Sequence, residues 1–269
     1  MSNTTNPLTS DRSSTIRKAV SKVPEITLGF WIIKIAATTL GETGGDWVTM
    51  SLNLGYLVGT LIFAAVFVGL VAAQVRTARF RPYLYWATIV GTTTLGTTIA
   101  DFADRSVGLG YPGGVALVAA LLLVSLVVWY KSEGTVSFRS IVKPRVEWFY
   151  WVTILFSQTL GTALGDWLAG TDRGGLGLGY ETGALVFGAG LAIVAALYFW
   201  TQVSRTALFW AAFILTRPLG ATLGDFLDKP LTQGGLNLSR LYASLVLLAF
   251  MALCVSLIPQ RPASPGAAA

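Results

Sequence analysis

The sequence contains no histidine and a single cysteine, Cys254. These absences exclude histidine-ligated haem, zinc and copper sites, and they exclude a disulfide or a thiolate metal cluster within one chain. Charged residues are also scarce, at 12% of the chain, which is about half of their share in soluble domains. Nucleotide-binding loops, nucleophile elbows and the HExxH motif of metalloproteases are absent too. The sequence therefore predicts a protein that is not an enzyme and has no organic cofactor.

Apolar residues are abundant instead, since 54% of the chain is hydrophobic and its mean hydropathy is +0.64. Runs of about 20 apolar residues recur, and each is long enough to cross ~30 Å of hydrocarbon. We predict an all-α membrane protein whose eight transmembrane helices form four helical hairpins. The predicted spans are 26–47, 54–75, 82–102, 112–130, 147–168, 180–200, 206–227 and 238–258.

Basic residues in the short connections indicate the orientation of these spans. Most of them fall on one side: Arg12, Arg17, Lys18, Lys22, Arg76, Arg79, Arg81, Lys131, Arg139, Lys143, Arg145, Arg205 and Arg261. The other side carries Arg105, Arg173, Lys229 and Arg240. The excess of basic residues on the first side predicts that both termini are cytoplasmic. It also explains the net charge of +6, so we expect no nucleic-acid partner.

Composition divides the chain into five parts. We predict a disordered cytoplasmic tail at 1–24, a first half with repeats 1 and 2 at 25–130, and a cytoplasmic linker at 131–146. The second half, with repeats 3 and 4, covers 147–258, and a mobile C-terminal tail covers 259–269. The partners expected of such a chain are the lipid bilayer and, through the smoother second helices of the hairpins, a further copy of itself.

The four repeats share the pattern L-G-x-x-x-[GA]-D-[WF]. In every copy a tryptophan lies 15 residues before the aspartate: Trp31 and Asp46, Trp86 and Asp101, Trp151 and Asp166, Trp210 and Asp225. A helix rises ~22 Å over that distance, so a tryptophan at the cytoplasmic interface places each aspartate in the outer part of the membrane. All four hairpins then point the same way, and the repeats are parallel rather than inverted.

These tryptophans and motifs resemble a bacterial integral-membrane family built of four tandem two-span repeats, a repeat catalogued as a domain of unknown function. The resemblance covers roughly residues 26–258. It implies a multi-pass protein of the bacterial inner (cytoplasmic) membrane, and it implies no activity.

Oxygen-bearing side chains share the helix face of each aspartate. Carboxylate and hydroxyl oxygens suit hard cations such as Mg²⁺, Ca²⁺, Mn²⁺, Na⁺ or H⁺. The candidate ligands of a bound divalent cation are Asp46, Asp101, Asp166, Asp225, Glu42, Thr43, Thr97 and Thr162. The structural alternative is that each aspartate caps the end of its own hairpin.

Small residues follow a separate face of the same helices. We interpret Gly41, Gly45, Gly96, Gly161, Gly165, Gly220 and Gly224 as helix-packing positions, with a local helix break that exposes carbonyl groups as the alternative.

Two basic residues lie within the first spans of the hairpins. Arg217 is a candidate gate or charge partner for a nearby acid, and Lys34 is either a second such residue or snorkels to the cytoplasmic side.

These residues favour a secondary transporter, and a candidate exporter, of a hard cation, with divalent Mn²⁺, Mg²⁺ or Ca²⁺ preferred and protons as the coupling ion. In this hypothesis the first helices cluster so that the aspartates converge near a central axis. The first alternative is a passive cation channel with an acid ring as its filter. The second is a membrane scaffold in which the aspartates only cap hairpins.

Overall fold

The computed structural model describes residues 22–77, 79–136 and 143–263. Residues 1–21 of the predicted N-terminal tail, 137–142 of the linker and 264–269 of the C-terminal tail lie outside the described residues. Within the described ranges the chain is all-helical, as predicted. Its helices are α1 (Leu28–Asp46), α2 (Gly55–Arg76), α3 (Pro82–Asp101), α4 (Gly110–Glu133), α5 (Pro144–Ala169), α6 (Tyr180–Trp200), α7 (Arg205–Asp228) and α8 (Arg240–Leu257). Each one matches a predicted span to within a few residues.

Local signals explain where these helices begin and end. The Thr27 hydroxyl accepts a hydrogen bond from the backbone of Phe30 and caps α1, and Ser204 caps α7 in the same way. Proline is the first residue of α3 and α5, where its missing N–H costs nothing. Two short π-helical turns, Trp47–Ser51 and Phe102–Ser106, continue α1 and α3 beyond their aspartates.

The odd-numbered helices form a closed ring at the centre of the molecule. Helix α1 packs against α3 and α7, and α5 packs against the same two helices. One glycine of every motif lies against the next repeat at the same height, and the fourth repeat returns to the first. These contacts are Gly41 to Thr93, Gly96 to Gln158, Gly161 to Arg217 and Gly220 to Thr38. Four residues further along, Gly45 lies against Thr97 and Gly165 against Ala221, so the contacts advance in the same direction on both helices of a pair and the inner helices run parallel.

The even-numbered helices surround this ring. Helix α2 packs on α3, α4 on α5, α6 on α7 and α8 on α1. The second helix of each repeat therefore packs chiefly on the first helix of the following repeat, and neighbouring repeats interlock. The outer surfaces of these helices expose large apolar side chains such as Leu61, Leu123, Leu185 and Val246.

Five helices, α2, α4, α6, α7 and α8, are long and apolar enough to cross a membrane. These apolar helices indicate a membrane protein. The three other inner helices are less apolar because their buried faces carry threonines, glycines and charged groups. Their polar residues lie in the ring interior, where the surrounding helices cover them.

The ends of the described chain pack together. The backbone of Glu25 donates a hydrogen bond to Arg261 at 2.8 Å, and that of Ala263 donates to Val23 at 2.8 Å. The Lys22 ammonium, also buried, pairs with Glu147 of α5 at 2.7 Å. Residues 22–24 and 259–263, which composition assigns to the tails, thus belong to the folded body because backbone pairing and this ion pair hold them.

The ring glycines generate a stability prediction. A Cβ on Gly96 would lie 2.9 Å from the backbone nitrogen of Thr159, and backbone has little room to move. Gly96→Ala should lower the free energy of unfolding by about 1–3 kcal/mol, the usual cost of overpacking. The control is Gly188→Ala, since no atom lies within 4 Å of a Cβ at Gly188. Thermal unfolding in detergent measures both, and equal melting temperatures would contradict a close-packed ring.

Candidate functional site

Aromatic side chains fill the first level of the ring, near the beginnings of the inner helices. Ring contacts connect Phe209 to Trp31, Phe30 to Trp86 and Tyr85 to Trp151. The hydroxyl groups of Tyr85 and Tyr150 lie 2.8 Å apart. Three of the four repeat tryptophans, Trp86, Trp151 and Trp210, are buried in the bundle. These aromatic contacts hold the inner helices together near their beginnings. The polar residues of the ring lie further along the same helices.

Arg217 occupies the middle of the ring and is fully buried. Its guanidinium donates to Glu42 at 2.9 Å and to the carbonyl of Thr38 at 3.1 Å, both on α1. It also donates to the hydroxyl of Thr162 on α5 at 2.6 Å and to that of Thr97 on α3. One side chain of α7 therefore binds all three of the other inner helices. The structure places Arg217 and Glu42 together as a buried ion pair.

Lys34 lies one helical turn below, and its side chain is also fully buried. Its ammonium is 3.5 Å from the amide oxygen of Gln158 and 4.2 Å from the ring centre of Phe213. The expectation that Lys34 snorkels to the cytoplasmic side is wrong, because α5 and α7 enclose it. Among the described residues no carboxylate forms an ion pair with it.

The four repeat aspartates form two bridged pairs at the far end of the inner helices. The Lys229 ammonium contacts Asp46 at 2.5 Å and Asp225 at 2.9 Å. The guanidinium of Arg105 contacts Asp101 at 2.7 Å and Asp166 at 3.3 Å. All four carboxylates are buried. One pair thus joins repeats 4 and 1, and the other joins repeats 2 and 3.

The two bridging cations occupy equivalent positions that our sequence interpretation missed as site residues. Residues 101–105 read DFADR and residues 225–229 read DFLDK, so a basic residue follows the aspartate by four positions in the even repeats. The odd repeats have Met50 and Gly170 there. One helical turn brings each cation over its own aspartate, and parallel packing brings it to the next repeat. The alternation of Phe and Trp after the aspartate was the available signal.

Electrostatics fix Lys229 in its charged form. Burial lowers its pKa, but the surrounding carboxylates of Asp225, Asp46 and Asp228 together raise that pKa well above the usual value. A permanently charged ammonium between two carboxylates acts as a built-in counter-ion, and this removes much of the repulsion that two buried acids would otherwise experience.

One group of acids is close enough to share a cation. One carboxylate oxygen from each of Glu42, Asp46 and Asp225 lies within 4.8 Å of the others, and all three residues are buried. The Oδ1 atom of Asp46 makes no hydrogen bond to any described residue. Carboxylate oxygens in this arrangement are suitable ligands for Mg²⁺, Mn²⁺ or Ca²⁺.

The charges of this region do not balance. Glu42 and the four repeat aspartates supply five carboxyl groups, whereas Lys229, Arg105 and Arg217 supply three cations. Asp228 and Arg240, 3.0 Å apart, add one charge of each sign. Two carboxyl groups of this set therefore remain in excess, one in the group of Glu42, Asp46 and Asp225 and one in the Arg105 pair. Two protons or one divalent cation carry the charge that would balance the whole set.

The other predicted ligands lie elsewhere. Asp101 and Asp166 belong to the Arg105 pair, and Thr97 and Thr162 bind Arg217. The hydroxyl of Thr43 faces outward and lies 2.8 Å from that of Ser244 on α8. At Asp46 and Asp101, where a π-helical turn follows, the side chain makes no capping hydrogen bond.

The predicted packing glycines all lie at helix contacts. Gly45 meets Thr97, Gly165 meets Ala221 and Gly224 meets Glu42, in addition to the four contacts that close the ring. Helices α1, α3, α5 and α7 continue without a break through these glycines. The alternative of a helix break that exposes carbonyl ligands finds no counterpart at these positions.

The bridge generates a second prediction. Lys229→Met should lower the free energy of unfolding by about 3 kcal/mol, because removing one partner leaves buried carboxylates without a counter-ion. Equilibrium unfolding in mixed micelles measures the loss. Arg145→Met is the control, since the exposed side chain of Arg145 pairs with Glu133 at 3.4 Å. Its loss should cost under about 1 kcal/mol. If the triple variant Lys229→Met, Asp46→Asn, Asp225→Asn is no more stable than Lys229→Met alone, the electrostatic explanation is wrong.

The comparison with known proteins identifies the repeat. A family model described as "Repeat of Unknown Function (DUF347)" matches residues 29–80, 84–135, 149–204 and 208–258. These four segments coincide with the four tandem repeats predicted from the sequence. Neither the curated proteins nor the solved structures gave a match.

Proposed function

We propose that this chain, which belongs to the DUF347 repeat family, is a secondary transporter that exchanges a hard cation for protons across a bacterial inner membrane. The preferred cargo is divalent, Mn²⁺, Mg²⁺ or Ca²⁺, and export is the favoured direction. All eight helices would span the bilayer as four hairpins with both termini in the cytoplasm. The apolar outer helices and the polar ring that they enclose support this arrangement.

The observation that carries the proposal is the group formed by Glu42, Asp46 and Asp225. Its three carboxylates lie within 4.8 Å of one another in a buried site, and the Oδ1 atom of Asp46 is free of hydrogen bonds from described residues. Burying carboxylates costs several kcal/mol each unless they are neutralised. Arg217 and Lys229 supply two positive charges for these three carboxylates, so a further positive charge is needed to neutralise the group.

Lys229 supplies the means to exchange the cargo. In the state described, its ammonium occupies the place between Asp46 and Asp225, where a cation would be bound by the same oxygens. A divalent ion that enters must displace the ammonium, and the ammonium must return when the ion leaves. Lys229 therefore acts as a tethered competitor that keeps the empty site stable and limits the affinity for the ion.

The excess of two carboxyl groups explains proton coupling. Two protons and one divalent cation carry the same charge, so their exchange leaves the buried region electrically balanced. Without either, two net negative charges would be enclosed by apolar helices, which is unfavourable by several kcal/mol. We therefore expect an exchange of one divalent ion for two protons.

Arg217 argues against a passive channel. Its guanidinium fills the axis of the ring and binds all the inner helices, so ions cannot pass along the axis unless this side chain moves. The scaffold alternative has one observation in its favour, since the two bridged pairs hold neighbouring repeats together. A scaffold would show no ion response.

Thermal unfolding with added cations tests binding directly. A ligand that binds only the folded state raises the melting temperature by mass action, and saturating Mn²⁺, Mg²⁺ or Ca²⁺ should raise it by on the order of 5 °C. Asp46→Asn should abolish the shift. Asp172→Asn, whose carboxylate is exposed and paired with Arg173, should preserve it. The scaffold interpretation is correct instead if no ion shifts the wild-type protein.

Flux measurements test exchange. In proteoliposomes that contain an ion-sensitive dye, uptake of the divalent ion should saturate and should accelerate when the interior is made more acidic than the exterior. Asp225→Asn should reduce the rate by at least about tenfold, as loss of one buried ligand is worth more than ~1.4 kcal/mol. Flux that rises linearly with concentration and ignores the pH gradient would instead identify a channel.

A further inference from the structure

Asp104 is a buried acid without a hydrogen-bonding partner among the described residues. It lies in the π-helical turn Phe102–Ser106, just beyond the predicted third span, and is 1% exposed. Neither of its carboxylate oxygens makes a hydrogen bond to a described residue. The side chain points at α4, where a Cβ on Gly114 would lie 1.9 Å from Oδ1. Asp104 therefore lies in a turn beyond the inner helix without being exposed to solvent.

The fourth repeat shows what this position looks like when it is neutralised. Asp228 follows the motif aspartate by three residues, as Asp104 does, and it is also buried. The guanidinium of Arg240, near the start of α8, contacts it at 3.0 Å. Aligning the segment Leu-Gly-Tyr at 109–111 with Leu-Asn-Leu at 236–238, which follow the motif in repeats 2 and 4, places Gly113 where the fourth repeat has arginine. Repeat 2 therefore has the acid at this position but lacks the matching cation.

The ionisable neighbours of Asp104 are engaged elsewhere. Arg105, on its own turn, bridges Asp101 and Asp166, and its guanidinium lies 5.9 Å from the ring centre of Tyr56 on α2. On the facing segments, Tyr111 of α4 donates its hydroxyl to Asp172, and Arg173 pairs with the same carboxylate. Asp166 of α5 contributes a negative charge.

Burial and the charge of Asp166 raise the pKa of Asp104 from 3.8 to about 7, although Arg105 and Arg173 oppose the shift. A neutral carboxylic acid fits the apolar contact with Gly114 better than a carboxylate does, because a buried charge without a hydrogen bond is strongly unfavourable.

We propose that Asp104 is a proton-binding site, occupied in the folded protein at pH values where ordinary aspartates are ionised. The proton comes from water at the end of the bundle and is held on one carboxylate oxygen, with no other bond made or broken. Binding it removes a negative charge beside the Asp101–Arg105–Asp166 bridge, so the proton strengthens the contact between repeats 2 and 3. The inference rests on this geometry and does not require transport.

The first test is the pH dependence of stability. Because the folded state holds this proton more tightly than the unfolded chain does, stability should fall as pH rises from about 4 to about 7. Asp104→Asn keeps the shape without the charge and should remove this part of the fall. Its melting temperature should match that of the wild type near pH 4 and exceed it by about 3 °C or more at pH 8. If the two proteins differ by the same amount at every pH, the proposal is wrong.

Infrared spectroscopy provides an independent readout. The difference spectrum of wild type minus Asp104→Asn should contain the carbonyl stretch of a protonated carboxylic acid at pH 6, and this band should decline towards pH 8. Asp172→Asn, whose carboxylate is exposed and pairs with Arg173, is the control and should retain the band. Gly113→Arg gives Asp104 the cation of the fourth repeat and should remove the band at pH 6. A wild-type spectrum that Asp104→Asn leaves unchanged at both pH values overturns the assignment.

Discussion

The structure depends on one interaction that occurs twice, a single cation held between two buried carboxylates from neighbouring repeats. Lys229 joins Asp225 to Asp46, and Arg105 joins Asp101 to Asp166. Each bridging cation pairs with the aspartate of its own repeat and with the aspartate of the next repeat. The charge that stabilises one repeat therefore also fixes which repeat packs beside it. Only the even repeats supply the cation, and the approximate four-fold arrangement of helices thereby becomes an approximate two-fold arrangement of charges.

In the polar interior, too, a single cation binds several helices. Ring glycines bring the inner helices close together, and this leaves space at the centre for few side chains. Arg217 uses that space to bind three other helices at once. A close-packed ring of this kind needs buried hydrogen-bond partners, which explains the many threonines among the inner residues. Their hydroxyls bind backbone carbonyls of the preceding turn or the guanidinium of Arg217.

The sequence predicted the helices and the repeats well because their signals are local. Apolar runs and the fixed spacing from tryptophan to aspartate need no knowledge of tertiary contacts. The clustering of the first helices followed from their shared polar face. Pairing was harder to predict, because nothing local states that Asp46 meets Asp225 rather than Asp101. The environment of Lys34 was misjudged for a similar reason: snorkelling assumes a lipid-facing side chain, whereas α5 and α7 enclose this one.

The helices interlock in a closed circle, although the chain itself is not covalently closed. Every second helix packs on the repeat that follows, the last packs on the first, and the described chain ends meet through the hydrogen bonds of Glu25 and Ala263. No repeat is therefore the first in a structural sense. A gene rearranged to join residue 263 to residue 22 through a short linker and to open the chain before α5 would encode the same set of helix neighbours. Circular permutation is thus compatible with this arrangement of helices.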